Sequence, residues 1–139
     1  MSDDTTKNKE IIRRFNRDVI GGADPAAYDL FDPEFVNRTA MAGFDAGIEG
    51  MRTVFETVLR RAMPDLAVTV HDQIAEGDRV VTRKTLHGTH RGPFFDVAPT
   101  GGPITIEVID IFRLRNGRLL EHWGKNDLPS VIARLKESK

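Results

Sequence analysis

Asp110 is the residue of this sequence hardest to explain as packing. It interrupts the alternating row Ile104, Ile106, Val108, Asp110, Phe112 and Leu114, whose other members are apolar. A carboxylate on the apolar side of a strand is costly to bury unless it is protonated or hydrogen-bonded. Either Asp110 serves chemistry or it holds a neighbouring strand or helix. His122 lies beyond an Asn116-Gly117 pair, in a run where Leu120, His122 and Gly124 share one side and Leu119, Glu121 and Trp123 the other. Folded back, that run makes His122 a candidate to face Asp110. Histidine titrates near neutrality and a carboxylate fixes its tautomer, so the pair suits acid–base work. A hydrogen-bonded, inert histidine at a sheet–helix boundary is the alternative. Asp127 precedes a final apolar run, where a helix cap explains it as well as catalysis does.

The elements that would position these groups follow from periodicity. Residues 1–6 are polar and predict a flexible tail. From Lys7, Ile11, Ile12, Phe15 and Val19 fall at helical spacing, and Gly21-Gly22 stops the helix. Asp24-Pro25 caps a short helix carrying Ala27, Leu30 and Phe31. Residues 32–47 read as an irregular connection. Met51, Val54, Phe55, Val58, Leu59 and Ala62 line one broad side of a second helix from about Ile48 to Ala62. Beyond Pro64-Asp65 the period changes to two. Strands are predicted from Leu66, from Arg79 to Thr89, from Ile104 to Leu114 and from Arg118 to Trp123. Asn-Gly between the last two is the clearest hairpin signal. Leu128, Val131, Ile132 and Leu135 mark a last helix with Pro129 in its first turn. Helices followed by consecutive strands predict an α+β domain spanning residues 1–139.

Composition narrows the function. The chain has 139 residues, 40% of them hydrophobic, enough for one core and short for two. Its formal net charge of -1 argues against nucleic acid as a partner. With no cysteine there is no disulfide or thiolate chemistry. The amino terminus does not read as a signal peptide, and no apolar run is long enough to span a membrane, so a cytoplasmic protein without membrane contact is expected. The four histidines are scattered, which predicts no metal. Gly21-Gly22 and Gly101-Gly102-Pro103 lack the context of nucleotide loops, while Ser2, Ser130 and Ser138 sit near the termini outside any serine-nucleophile motif. Proton transfer without a cofactor is the enzyme class left.

The stretches MPDLAVTV, AEGDRVVTRKTLHGTHRGPF and PTGGPITIEVIDIFRLRNGRLLEHW, with Asp127, resemble the SnoaL-like polyketide cyclase family, within the superfamily of nuclear transport factor 2, scytalone dehydratase and ketosteroid isomerase. The resemblance runs over nearly the whole chain. It implies a cone-shaped α+β barrel, a curved antiparallel sheet wrapped by N-terminal helices, with a ligand between sheet and helices and a homodimer formed through the sheet's outer side. It implies that Asp110 points into the cavity, where a neutral aspartic acid would hold an enolate, as in ketosteroid isomerase, a standard example of a carboxylic acid kept neutral. His122 or Asp127 would then be the base. The family often carries an aspartate directly after the tryptophan, where this chain has Gly124. His90 matches a Gly-Thr-His stretch at the pocket rim, and Asn37 occupies a polar cavity position. Phe15, Phe55, Phe112 and Trp123 are further candidates to line a pocket for an apolar cyclic or polyketide-like molecule. The expected activity is a cofactor-independent cyclase, isomerase or lyase; the alternatives are a noncatalytic binding protein and an epoxide hydrolase of the same fold.

Overall fold

The computed structural model describes residues 2–22 and 24–137, with side chains from residue 4. Helix α1 (Ser2–Arg14) continues as a π-helical segment, Phe15–Ile20. It starts earlier than its apolar spacing predicts. Residues 2–6 belong to this helix, and Asp4 in the first turn complements the helix dipole. Met1 and Ser138 lie outside the described residues. A 3₁₀ segment, Pro25–Leu30, follows, with the Asp24 carboxylate accepting from the Ala26 N–H at 3.0 Å as its cap. The second helix runs as α2 (Ile48–Arg52), a π-helical segment (Thr53–Leu59) and α3 (Arg60–Ala62). Helix α4 spans Leu128–Glu137. Among the described residues no helix is long and apolar enough to cross a membrane.

Five strands form one curved sheet: β1 (Phe31–Asn37), β2 (Ala67–Glu76), β3 (Arg79–Thr89), β4 (Pro103–Arg115) and β5 (Arg118–Asn126), in the order β1-β5-β4-β3-β2. Four are antiparallel, as alternation predicts. β1 is not: it lies parallel to β5 within the segment expected to be irregular. Its Pro33 is exposed on a sheet edge, where a missing N–H is tolerated, and Phe31 and Phe35 are buried on the inner side.

Asn116 and Gly117 both have positive φ, 51° and 78°, as a two-residue hairpin turn requires. Pairing begins in simple register, Arg115 with Arg118 and Leu114 with Leu119, and then shifts so that Arg113 faces Glu121. Leu120 is the extra residue of a β-bulge. The shift turns His122 to the face of Phe112 and Gly124 to that of Asp110, while Trp123 pairs with Ile111 on the outside.

The core lies between the helices and this inner face. Phe15 is its centre, meeting Phe31, Phe55 and Phe112 edge-on at 5.9, 5.8 and 4.8 Å. Each such ring removed from water contributes roughly 1.5–3 kcal/mol. Both π-helical segments supply cavity residues, Phe15 and Ile20 from one, Val54, Phe55, Val58 and Leu59 from the other. Widened turns of this kind recur at functional sites.

Candidate functional site

The inner face of β3 reads Val80, Thr82, Lys84 and Leu86, and that of β4 Val108, Asp110 and Phe112; all but Val108 are buried and Val108 is half-buried. Lys84 Nζ lies 2.8 Å from Asp110 Oδ2, with 2% of either side chain exposed. The same ammonium donates to Asn16 Oδ1 at 2.7 Å, and Asn16 is fixed through its Nδ2 to the Ile12 carbonyl at 2.9 Å. On the other flank His122 Nε2 stands 3.3 Å from Asp110 Oδ2, and His122 Nδ1 2.9 Å from Asn37 Oδ1. Asn37 arrives there because β1 pairs in parallel with β5, Asn37 beside His122. One chain of polar contacts therefore crosses the sheet: Asn16, Lys84, Asp110, His122, Asn37.

The charge on Asp110 follows from its neighbours. Burial pushes its carboxyl up, but the Lys84 ammonium and the hydrogen bond and charge of His122 outweigh it and hold the group below the usual carboxylate range. These neighbours favour the carboxylate over the neutral acid expected from sequence. The histidine tautomer is set by Asn37. The Thr39 backbone N–H donates to Asn37 Oδ1, so that oxygen is an acceptor and His122 Nδ1 donates to it. The ring's Nε2 is then the atom that takes up or gives a proton. An ionised Asp110 Oδ2 only accepts, so its 3.3 Å contact with Nε2 is a hydrogen bond when Nε2 carries a proton and a bare contact when it does not.

This wall closes one side of a cavity of about 140 Å³. Its other sides are apolar, including Phe15, Met51, Phe55, Leu59 and Ile106, with Phe95, 41% exposed, at the rim. Thr39 and Asn126 add polar groups. Gly124 leaves the space the histidine occupies: a Cβ there would come within 2.9 Å of His122 Cε1 and 3.4 Å of Nε2.

Of the residues expected from sequence, Asp110, His122, Asn37, Phe15 and Phe55 lie around this cavity. Four others do not line it. Phe112 is wholly buried beneath, its ring 4.6 Å from that of His122, so it supports the site from behind. Trp123 is turned outward by the bulge, under the Arg79 guanidinium at 5.3 Å. His90 is buried in the loop after β3, where Nδ1 accepts from the Thr100 N–H at 3.2 Å and its ring packs edge-on against Phe94; it organises the loop instead of a pocket rim. Asp127 Oδ1 accepts from the Glu107 N–H at 2.9 Å, extending the β4–β5 ladder, and Asn126 makes the side-chain bond to Leu128 N that caps α4. Arg113 pairs with Asp78 and Glu121, on the face of β4 away from Asp110.

Lys84, Asn16, Thr39 and Asn126 were missed from sequence. Lys84 alone carried a signal, since a lysine between Thr82 and Leu86 interrupts a buried row just as Asp110 does.

The model of the SnoaL-like polyketide cyclase family matches residues 10–135. A comparison with curated proteins finds no match. Among solved structures the chain is similar to TsrD from Streptomyces laurentii, 27% identical over 96% of this chain and 97% of that one, with a TM-score of 0.81. It is also similar to IdmH from Streptomyces antibioticus, provisionally described as a polyketide cyclase, 28% identical over 93% and 98%, with a TM-score of 0.79. A Catenulispora acidiphila protein of ketosteroid isomerase-like fold, solved with trimethylamine, matches at 22% identity over 91% and 92%, with a TM-score of 0.69, and shows the fold alone.

Proposed function

The chain belongs to the SnoaL-like polyketide cyclase family, and from that premise we propose a cofactor-independent acid–base enzyme acting on an apolar, carbonyl-bearing small molecule of polyketide type. The observation that carries the reading is the chain Lys84–Asp110–His122–Asn37 on one wall of an otherwise apolar cavity. His122 Nε2 removes a proton from the carbon beside the ligand carbonyl. The imidazolium so formed is held between Asp110 Oδ2 and Asn37 Oδ1, and returns the proton after ring closure, isomerisation or elimination. Asn126, whose Oδ1 is engaged by Leu128, offers its amide N–H to the developing enolate oxygen. Asp110 acts as a fixed counter-charge and not as the donor. A cavity near 140 Å³ is about the size that holds one benzene ring, so a larger ligand seats its reacting end here and extends past Phe95.

The test is exchange of the acidic carbon-bound hydrogen for deuterium in a panel of small aromatic 1,3-dicarbonyl compounds, followed by proton NMR. His122→Ala should lower the enzyme-dependent rate by roughly 10²–10⁴ with the fold intact. An unchanged rate in that variant would remove His122 from the chemistry, and tight binding by the wild type with no exchange would favour a binding protein.

A homodimer through the outer sheet face is part of the same proposal. Ile74, Val81, Ile111 and Trp123 stand in register across four strands there, next to Ile109, which is 50% exposed. Light scattering should give twice the chain mass, and Ile109→Lys should shift it toward the monomer.

A further inference from the structure

The two carboxylate oxygens of Asp110 are not equally served. Oδ2 meets both the Lys84 ammonium and the His122 ring. Oδ1 is buried with no hydrogen-bond partner among the described residues. Directly opposite in register on β3, Thr82 is wholly buried, and its Oγ1 is also without a partner. A charged oxygen left unmet in an apolar surround is strongly disfavoured. Two such atoms on directly paired residues call for one explanation.

Residues opposed across an antiparallel pair have Cβ atoms about 4.5–5.5 Å apart. Side-chain oxygens that do not bond directly across that distance are spanned by a single water with two bonds of about 2.8 Å. A buried water needs two to four polar partners. A third is at hand in Lys84, two residues along the same face, whose ammonium has three protons while Asn16 and Asp110 Oδ2 take two. Asp110 and Lys84 line the cavity but Thr82 does not. Val80 and Phe112, paired on the neighbouring rung and both wholly buried, close the place off on that side.

We propose that one buried water, behind the cavity wall, bridges Thr82 Oγ1 and Asp110 Oδ1, and that Thr82 is thereby a positioning residue for Asp110. The water donates to Oδ1 and accepts from the threonine hydroxyl or the lysine. It keeps the carboxylate plane turned so that Oδ2 stays toward His122. Its bearing on turnover rests on the acid–base reading above; its presence does not.

The experiment uses the full chain. A crystal structure fine enough to show ordered water, with a carbon-13 NMR titration of the Asp110 carboxyl, is compared for wild type, Thr82→Val and Thr82→Ser. The other titratable groups facing Asp110 are Lys84 from β3 and His122 from β5; the first helix contributes Phe15 and Asn16, which do not titrate. Wild type should show the bridging water. Thr82→Val keeps the side-chain shape, and should lose the water and raise the Asp110 midpoint by about one pH unit; Thr82→Ser should restore both. A direct Thr82–Asp110 bond, no ordered water in wild type, or a Thr82→Val titration identical to wild type would each overturn the proposal. Should His122→Ala leave deuterium exchange unchanged while the water is present, the acid–base reading fails and the water site stands.

Discussion

Replacing Lys84 by methionine removes the charge from one member of a pair that meets at 2.8 Å with 2% of each side chain exposed. Methionine keeps most of the stem's volume, so packing against Phe15 survives and electrostatics is what changes. At an effective dielectric near 20 the lost attraction is about 6 kcal/mol, and much of that was offset by the cost of drying both ions. The pair is therefore worth little net, but half of it alone is expensive: breaking a buried pair from one side costs about 3–5 kcal/mol. That is a large part of the ~5–15 kcal/mol that holds a domain of this kind together. Urea unfolding of Lys84→Met near neutral pH should show that loss at an unchanged m-value. The double variant Lys84→Met, Asp110→Asn should recover at least about 2 kcal/mol relative to the sum of the single changes. The pH dependence has a definite sign. In wild type the folded carboxyl of Asp110 is lowered, so its contribution is present above the unfolded value of about 3.9 and is lost as pH falls through the folded value. In Lys84→Met burial has lost its main opponent, the folded state takes up a proton more readily than wild type, and the deficit should shrink as pH falls toward about 4. A variant within about 1 kcal/mol of wild type, or a deficit that does not change with pH, would refute the account of a dry ion pair.

Gly124→Ala should tilt the His122 ring, because the new Cβ would stand 2.9 Å from Cε1 while Nδ1 is tethered to Asn37. Deuterium exchange should drop by up to about 100-fold, with the melting temperature little changed. Gly117→Ala, at φ 78° and with only ordinary contact to Ile11 Cδ1, should cost about 1–2 kcal/mol of stability through backbone strain alone, read by urea unfolding. Arg83→Gln breaks a pair as short as Lys84–Asp110, at 2.7 Å, but one with 53% and 59% of its side chains exposed, and should change stability by less than about 1 kcal/mol. A large loss there would mean that this face is covered in solution.

The helices, four strands and the Asn-Gly hairpin were legible because each rests on local signals: a period of 3.6, a period of 2, and a turn that needs two residues with positive φ. Asp110 was legible by the same logic, as a break in an apolar row. Lys84 breaks the neighbouring row in the same way, and together the two anomalies announce an ion pair and not a neutral acid. A carboxylate read alone invites protonation; read with a lysine on the next strand it stays charged. β1 carried no comparable signal. A short edge strand with Pro33 and Glu34 exposed is defined by its parallel partner β5, some 85 residues away by the bond from Asn37 to His122. His90 and Asp127 show the converse failure. Both are polar residues at element ends whose side chains complete local backbone bonding, and position in a motif does not separate that role from catalysis.

The placement of His122 is where local and long-range order meet. A two-residue hairpin continued in simple register pairs Asp110 with Trp123 and Phe112 with Glu121, which would bury the tryptophan against the aspartate and turn His122 to the outside. The extra residue at Leu120 reverses this, because side chains alternate and a one-residue slip exchanges the faces. The sequence carries its trace in Leu119-Leu120, two consecutive buried leucines in a strand that otherwise alternates. Once His122 faces inward it needs three further conditions: a partner for Nδ1, a counter-charge near Nε2, and space for the ring. β1 brings Asn37, the pair with Lys84 keeps Asp110 ionised, and Gly124 leaves the space. Gly124 is thus part of how this chain accommodates its histidine. An acidic residue introduced at position 124 would compete with His122 for the same volume before it could add a second acid–base group.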